Sequence, residues 1–288
     1  MTSYEAFLDA KRRLALDTLA PILTAAGRPR PDMREITITE HSIVETSGYD
    51  GLTRAILDYD MPELSGPATL DHYTDGAGFR GIMLTGDLHL SSLTHRLGQG
   101  ELDTFAWEHG LDGYVEQNGP VKALLGEAAA DLFYTSFTAL PPSDALWDGF
   151  GDQGNGYRLR FEVTPAGASR LREIRYHGGT TLLRQVNDAL ARAGLPRFIL
   201  KGISRVGAFY LPATWQHESE TRLLAKRFTG GGAPVVAGPY GEYWPIPIGQ
   251  SNPTAELSLV EIGVRNLSPA IVRQRLQNWC ATVPVVAD

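Results

Sequence analysis

Apolar residues over 3–26 recur at helical spacing, with polar residues between them. Ser3 can cap the first turn, and Gly27 follows the last apolar position as a stop signal. Pro21 lies inside this run and is expected to kink or divide it. The pattern therefore predicts an N-terminal helix over 3–26, followed by a proline-rich linker at 28–31.

Short alternating or β-branched runs predominate in the rest of the chain, as in Leu132–Thr138 and Tyr157–Val163. The predicted strands are 35–45, 70–74, 88–92, 132–138, 157–163, 203–211, 216–226 and 256–264. The predicted helices after the first are 52–59, 75–86, 120–131, 181–194 and 268–278. Because strands and helices do not alternate regularly, the pattern predicts an α+β fold rather than a doubly wound sheet.

A second proline-containing break at 62–67 divides the pattern into two parts. We interpret residues 1–66 as an N-terminal helical extension or small subdomain, and residues 67–288 as the larger domain.

The segment from Trp215 to Arg222 reads Trp-Gln-His-Glu-Ser-Glu-Thr-Arg. If it is a strand, its period of two places Glu218, Glu220 and Arg222 on one face. Neighbouring carboxylates on one face repel each other, which separates their pKa values unless a cation or ligand intervenes. This arrangement favours a functional site, whereas the alternative is a solvated edge strand with a Glu220–Arg222 contact.

Composition narrows the classes of function. The 288-residue chain has a net charge of −7, so it carries no basic field that would gather nucleic acid. No secretory signal and no membrane-spanning apolar run are visible, and the single Cys280 excludes an internal disulfide. We therefore expect a cytoplasmic protein with no membrane partner.

Four common kinds of chemical site have no signature in the chain. No pair of histidines has metal-ligand spacing, so we expect no metal. The chain contains no Gly-x-Ser-x-Gly elbow and no Rossmann fingerprint. The run Gly230–Gly232 is predicted to be a loop rather than a phosphate-binding element.

Several short motifs, taken in order over about 69–275, resemble a bacterial family of proteins, the DUF2971 family. They are His72-Tyr73-Thr74, Gly81-Ile82, Leu88–Ser92, Ser136-Phe137-Thr138, the set Asp144, Trp147 and Gly156, the set Trp215, Glu218, Glu220 and Arg222, and Leu259–Ile262. One segment departs from that family. Where the family carries Asn-Asp-Pro-x-Glu, this chain has Leu-Gly-Gln-Gly-Glu over 97–101, and only Glu101 matches.

The same layout resembles, more distantly, the ADP-ribosyltransferase superfamily. That resemblance implies a split antiparallel or mixed β-sheet with flanking helices, and a catalytic domain over 67–288. It also implies that NAD is the substrate, with a small-molecule nucleotide as partner and no metal.

The resemblance implies a role for each matching residue. Glu220 would stabilise positive charge that develops on the ribose, and Glu218 would orient the acceptor or take its proton. His72 would donate a hydrogen bond to a ribose hydroxyl or to the nicotinamide-side backbone, and Arg222 would keep Glu220 ionised or contact a phosphate. The remaining implied cofactor-binding residues are Tyr73, Thr74, Tyr134, Ser136, Thr138 and Trp147, with Tyr134 or Trp147 as an aromatic face for nicotinamide.

The expected activity is therefore cleavage of the nicotinamide–ribose bond with transfer of ADP-ribose. The acceptor, whether protein, nucleic acid or small molecule, is left open. Two alternatives stay open as well: an NAD or nucleoside glycohydrolase, and a non-catalytic nucleotide-binding or interaction module. Glu220→Gln is expected to abolish turnover while leaving the melting temperature nearly unchanged.

Overall fold

The α+β class predicted from the sequence is confirmed, with a mixed sheet of antiparallel and parallel strand pairs. The structure is a computed structural model, and it describes residues 3–64, 66–93, 105, 108–109, 132–167, 169–199, 206–227, 235–238 and 241–288. Within these ranges, every helix is too short or too polar to cross a membrane.

The described helices are α1 (Ser3–Ala25), α2 (Gly51–Asp60), α3 (Gly76–Thr85), α4 (Asp144–Phe150), α5 (Leu182–Arg192) and α6 (Pro269–Arg273). The described strands are β1 (Ile36–Ile38), β2 (Ile43–Glu45), β3 (Ala68–Thr74), β4 (Asp87–Ser92), β5 (Leu132–Thr138), β6 (Tyr157–Pro165), β7 (Arg170–Glu173), β8 (Arg175–Tyr176), β9 (Phe198–Ile199), β10 (Tyr210–Leu211), β11 (Glu220–Lys226), β12 (Val236–Gly238), β13 (Gly241–Pro247), β14 (Ala255–Val264) and β15 (Val285–Ala287). Short 3-10 turns cover Asp152–Gly154, Ala213–Glu218 and Asn278–Cys280.

Several predicted elements differ from those observed. The N-terminal helix is one element despite Pro21, and the strand predicted at 35–45 is the antiparallel hairpin of β1 and β2. The strand predicted at 216–226 begins only at Glu220, because a 3-10 turn occupies the residues before it. Helix α6 ends at Arg273, and the described part of 203–211 contains only the strand β10. The helix predicted at 120–131 lies outside the described residues.

The described residues form two compact units. The first consists of those in 3–62, 105–109 and 175–212, and the second of those in 63–93, 132–174 and 213–288. The predicted boundary after residue 66 is close to the junction after residue 62. The first unit also takes in 175–212, a stretch that a division by sequence position assigns to the larger domain.

The first unit packs helices on a small sheet. Helix α1 contacts α5 and β1, and the sheet has the order β1-β2-β9. Residues Leu16, Leu19 and Leu23 of α1 are buried, and their spacing places them on one face of the helix. A separate parallel pair joins β8 to β10.

The second unit is built on one large sheet with the order β12-β13-β4-β5-β3-β6-β14-β15. Strand β11 pairs with β5 along its whole length and also with β7. The central strand β5 is rich in aromatic and β-branched residues and is buried on both faces, and it has paired strands on both edges. Core residues from β5, β6, β11 and β14 and from helix α3 form one apolar cluster.

The sheet splits at β5, and this split positions the candidate site. One edge of β5 is fully occupied by β11, whereas the other is shared between β4 near its start and β3 near its end. Strands β3 and β5 pair at one position only, Asp71 with Thr138, and β3 then continues along β6 as far as Thr74. Gly156 allows this path, since a Cβ there would lie 2.3 Å from the Thr74 carbonyl oxygen.

Candidate functional site

A cavity of about 210 Å³ opens beside the point where β3 separates from β5. Its lining residues all belong to the second unit and come from β3, β5, helix α4 and the segment that leads into β11. They are Asp71, His72, Tyr73, Ser136, Phe137, Thr138, Leu146, Phe150, Glu218 and Glu220.

His72 connects the two diverging strands through its side chain. Its Nδ1 atom lies 2.9 Å from the Ser136 carbonyl oxygen, and a carbonyl oxygen can only accept a hydrogen bond. The proton therefore sits on Nδ1, which leaves Nε2 as an acceptor in the neutral ring. Burial lowers the pKa of His72, against a smaller opposing effect of this hydrogen bond, so the neutral form is favoured. In this tautomer Nε2 can accept a hydrogen bond from a ribose hydroxyl, whereas the expected role is donation, and the role of His72 stays a prediction.

Glu220 is fixed by contacts from two neighbouring strands. Arg222 donates from Nε to Glu220 Oε1 at 2.7 Å and from an Nη atom to Oε2 at 3.2 Å. The Ser136 hydroxyl also donates to Glu220 Oε1, because the register of β11 on β5 places Arg222 opposite Ser136. The Arg222 guanidinium lies 4.9 Å from the centre of the Tyr134 ring, a cation–π distance. The predicted contact between Glu220 and Arg222 on one strand face is confirmed, but it is buried rather than solvated.

Glu218 does not share that strand. It ends the 3-10 turn Ala213–Glu218, and Ser219 follows with a φ of 44°, a left-handed conformation that is uncommon for serine. This reversal lets Glu218 and Glu220 line the same cavity although they are not neighbours on one strand face. The Thr138 hydroxyl holds the turn, since it donates to the Glu218 carbonyl oxygen at 3.0 Å.

The structure brings six of the predicted site residues to the cavity and leaves four away from its wall. Those at the wall are His72, Tyr73, Ser136, Thr138, Glu218 and Glu220. Those not among the lining residues are Thr74, Tyr134, Trp147 and Arg222. Neither Tyr134 nor Trp147 lines this cavity, and their expected role as an aromatic face for nicotinamide stays a prediction. Tyr134 packs on Arg222, and Trp147, 2% exposed, packs edge-on against Tyr73 at 5.2 Å between ring centres.

Asp71 is the charged lining residue that the sequence interpretation missed. Arg160 contacts both of its oxygens, at 2.9 and 3.1 Å, and Arg158 contacts Oδ1 at 3.1 Å. Arg158 also donates to Glu261 and Asp288. A usable signal was present, since Arg158 and Arg160 alternate along the strand that pairs with the strand of Asp71, which places both on one face. The apolar lining residues Phe137, Leu146 and Phe150 were missed as well.

Two buried polar atoms beside the cavity have no hydrogen-bond partner among the described residues. They are the Tyr73 hydroxyl oxygen and the Trp147 indole Nε1. Burial raises the pKa of Tyr73 to about 12, with a further increase from Asp71. The phenol therefore stays protonated near neutral pH and is available as a donor. Unsatisfied buried polar groups are costly, and these two belong to rings that pack against each other beside the cavity.

In the described part of the chain, no group of three or more His, Cys, Asp or Glu side chains is placed to hold a metal ion. The buried His109 makes other contacts. Both of its ring nitrogens are already used, Nδ1 toward the Phe105 carbonyl and Nε2 toward the Thr181 hydroxyl, each at 2.6 Å.

The site therefore combines three carboxylates, two of them held by arginines, with a neutral imidazole and a phenol around a small cavity. Comparisons of the chain with protein-family models, with curated proteins and with solved structures find no match. Glu101, the single match in the divergent segment, lies outside the described residues.

Proposed function

We propose that the protein is an NAD-using, ADP-ribosyltransferase-like enzyme that cleaves the nicotinamide–ribose bond and transfers ADP-ribose to an acceptor. The observation that carries the proposal is the convergence of His72, Ser136 and Glu220 on one cavity from three different strands. These residues belong to three of the motifs, distant in sequence, that carry the resemblance. The split of the sheet at β5 agrees with the fold that the resemblance implies.

The chemistry of these groups fits the reaction. Breaking the bond between ribose C1′ and the pyridinium nitrogen releases neutral nicotinamide and leaves an oxocarbenium-like centre on the sugar. Glu220 supplies negative charge near that centre, and its orientation is fixed before the substrate arrives by Arg222 and Ser136. Neutral His72 accepts a hydrogen bond from a ribose hydroxyl through Nε2, which positions the sugar.

Glu218 supplies the remaining role. Its carboxylate lines the same cavity as that of Glu220, so it can take the proton of a nucleophile that attacks C1′. The nucleophile is an acceptor group in a transferase and water in a glycohydrolase. The presence of Glu218 in the cavity therefore also supports the alternative of an NAD or nucleoside glycohydrolase.

The test incubates the purified full chain with NAD and measures the released nicotinamide by chromatography. Wild type is compared with Glu220→Gln, Glu218→Gln and a matched control, Glu242→Gln, which makes the same chemical change at an exposed position of β13. Far-UV circular dichroism at the assay temperature checks that each variant is folded.

We expect release by wild type and by Glu242→Gln, and a loss of at least about 100-fold in Glu220→Gln, in line with removal of one transition-state contact. Free ADP-ribose as the sole product would select the glycohydrolase alternative. No release by folded wild type, together with no rise in its melting temperature on adding NAD, would refute the proposal and leave the non-catalytic binding alternative.

A further inference from the structure

A row of charged side chains crosses the sheet behind the cavity, from the end of β15 to β3. Asp288, which follows β15, accepts from Arg158 Nε at 2.5 Å and from one Arg158 Nη atom at 2.6 Å. The other Nη atom of Arg158 donates to Asp71 Oδ1 at 3.1 Å, and Asp71 lines the cavity. Arg158 therefore joins the last strand in the sheet order to the wall of the candidate site.

Gly263 provides the space in which this row forms. It lies in β14, the strand between β6 and β15, and is paired with Arg158 on one side and with Val286 on the other. A Cβ atom at this position would lie 2.4 Å from Asp288 Oδ2 and 2.7 Å from Arg158 Nε. The φ of Gly263 is outside the left-handed region, so the backbone there does not require glycine. The space for the two charged groups does.

The row is buried along its length. The side chains of Arg158, Asp71 and Asp288 are 2%, 4% and 7% exposed. A carboxylate that accepts two parallel hydrogen bonds from a guanidinium fixes its orientation as well as its distance. Asp288 therefore fixes the plane of the Arg158 guanidinium, and that plane fixes where Asp71 Oδ1 lies.

Arg160 is the second support of Asp71, and its surroundings are wetter. It contacts both oxygens of Asp71, at 2.9 and 3.1 Å, but its side chain is 32% exposed. Glu261 lies 3.1 Å from Arg160 and shares its charge. Because partly exposed ion pairs are screened by solvent, they hold their partners less firmly than buried ones. Arg158 is therefore the firmer of the two supports.

The position of Asp71 matters for what its carboxylate can do. The donations from Arg158 and Arg160 use three of the about four lone-pair positions of a carboxylate, two on Oδ1 and one on Oδ2. Among the described residues, the remaining position on Oδ2 is open to a group in the cavity. A misplacement of about 1 Å in such a group can cost about 100-fold in rate.

We propose that Asp288 is a positioning residue of the site, which fixes the Asp71 carboxylate at the cavity wall through Arg158. Gly263 is part of the same device because it admits the contact between Asp288 and Arg158. The inference rests on the proposed function for its kinetic consequence alone, since the placement of Asp71 can be measured without a substrate.

The first measurement is the NMR resonance of the Asp71 carboxyl carbon in the full chain with isotope-labelled aspartate, assigned by its absence in Asp71→Asn. We expect Asp288→Asn and Gly263→Ala each to shift this resonance, because both release Arg158. Two controls should leave it in place. Asp188→Asn makes the same chemical change at an exposed position of α5, and Gly81→Ala adds a Cβ that meets nothing within 4 Å.

Far-UV circular dichroism checks that each variant is folded, and if one of the two test variants does not fold, the other decides. An Asp71 resonance that stays in place in a folded Asp288→Asn or Gly263→Ala variant would overturn the inference. Equal shifts in the control variants would do so too, because the resonance would then report a general disturbance.

The second measurement is kcat/KM for release of nicotinamide from NAD. We expect Asp71→Asn and Asp288→Asn each to lose about 10- to 100-fold. The double variant should lose no more than Asp71→Asn alone, because Asp288 acts through Asp71. Losses that multiply in the double variant would show that Asp288 acts on the whole fold, and they would overturn the positioning role.

The two measurements separate the inference from the proposed function. If wild type releases no nicotinamide, the enzyme is refuted, and the resonance of Asp71 still decides whether Asp288 positions it. Release of nicotinamide by wild type, together with an Asp71 resonance that the variants do not move, would keep the enzyme and refute the positioning role.

Discussion

Replacing Glu220 by glutamine should destabilise the protein substantially, contrary to what the sequence alone led us to expect. The side chain of Glu220 is 5% exposed and that of Arg222 is not exposed at all. Removing one partner of a buried ion pair typically costs about 3–5 kcal/mol, because the remaining charge loses its compensation in a medium of low polarity. Glutamine keeps one oxygen that can accept from Arg222, so we expect the lower end, about 3 kcal/mol.

The measurement is urea unfolding followed by far-UV circular dichroism. A loss of about 3 kcal/mol corresponds to a fall in melting temperature of about 6–12 °C. A double-mutant cycle with Arg222→Met isolates the pair, and we expect the double variant to be less destabilised than the sum of the single variants by about 1–3 kcal/mol. Glu242→Gln, at an exposed position, should stay within about 0.5 kcal/mol of wild type.

Glu220→Gln with a free energy of unfolding within about 0.5 kcal/mol of wild type would refute this reasoning, because the pair would then not be buried. The result also decides how the activity assay is interpreted. A loss of turnover in Glu220→Gln is informative only when the variant is measured well below its own melting temperature. A loss of stability alone therefore does not argue against a catalytic role.

Three further predictions follow from the same region. In urea unfolding, Arg158→Met should lower the free energy of unfolding by about 3–5 kcal/mol and Arg160→Met by about 1 kcal/mol, because the two side chains are 2% and 32% exposed. Equal losses in the two variants would contradict the burial argument. Ser219→Val should lower the free energy of unfolding by about 1–3 kcal/mol, since a β-branched residue tolerates a φ of 44° poorly, and Ser219→Gly should lower it by less than about 0.5 kcal/mol. Similar melting temperatures for the two variants would count against strain at this position. Burial lowers the pKa of His72, so below the ordinary value of about 6.5 the unfolded chain binds more protons than the folded one. The free energy of unfolding should therefore fall as the pH is lowered from 7.5 to 5.5, by up to about 1.4 kcal/mol per pH unit for this group. His72→Asn should reduce that slope, and an unchanged slope would exclude His72 as its source.

Local patterns in the sequence determined the type of most elements near the site. The alternation along 157–163 and the β-branched run at 132–138 each matched an observed strand, because burial of one or both faces of a strand imposes its own spacing of apolar residues. The contact between Glu220 and Arg222 was also predictable from the sequence, since the period of two along a strand places both side chains on one face. These features depend on neighbours in sequence, and the sequence shows neighbours directly.

Tertiary structure decided which of these residues meet and how deeply they are buried. Asp71 reaches Arg158 across 87 positions of the chain, and strand β3 leaves β5 after one paired position, neither of which a local pattern contains. The Glu220–Arg222 contact is buried rather than solvated, because β11 is an interior strand with both faces covered and not the solvated edge strand of the alternative interpretation. The turn at Ser219 that brings Glu218 to the cavity has a conformation that serine seldom adopts. The packing of the whole unit outweighs the preference of serine for a negative φ. The sequence at this position shows only that local preference.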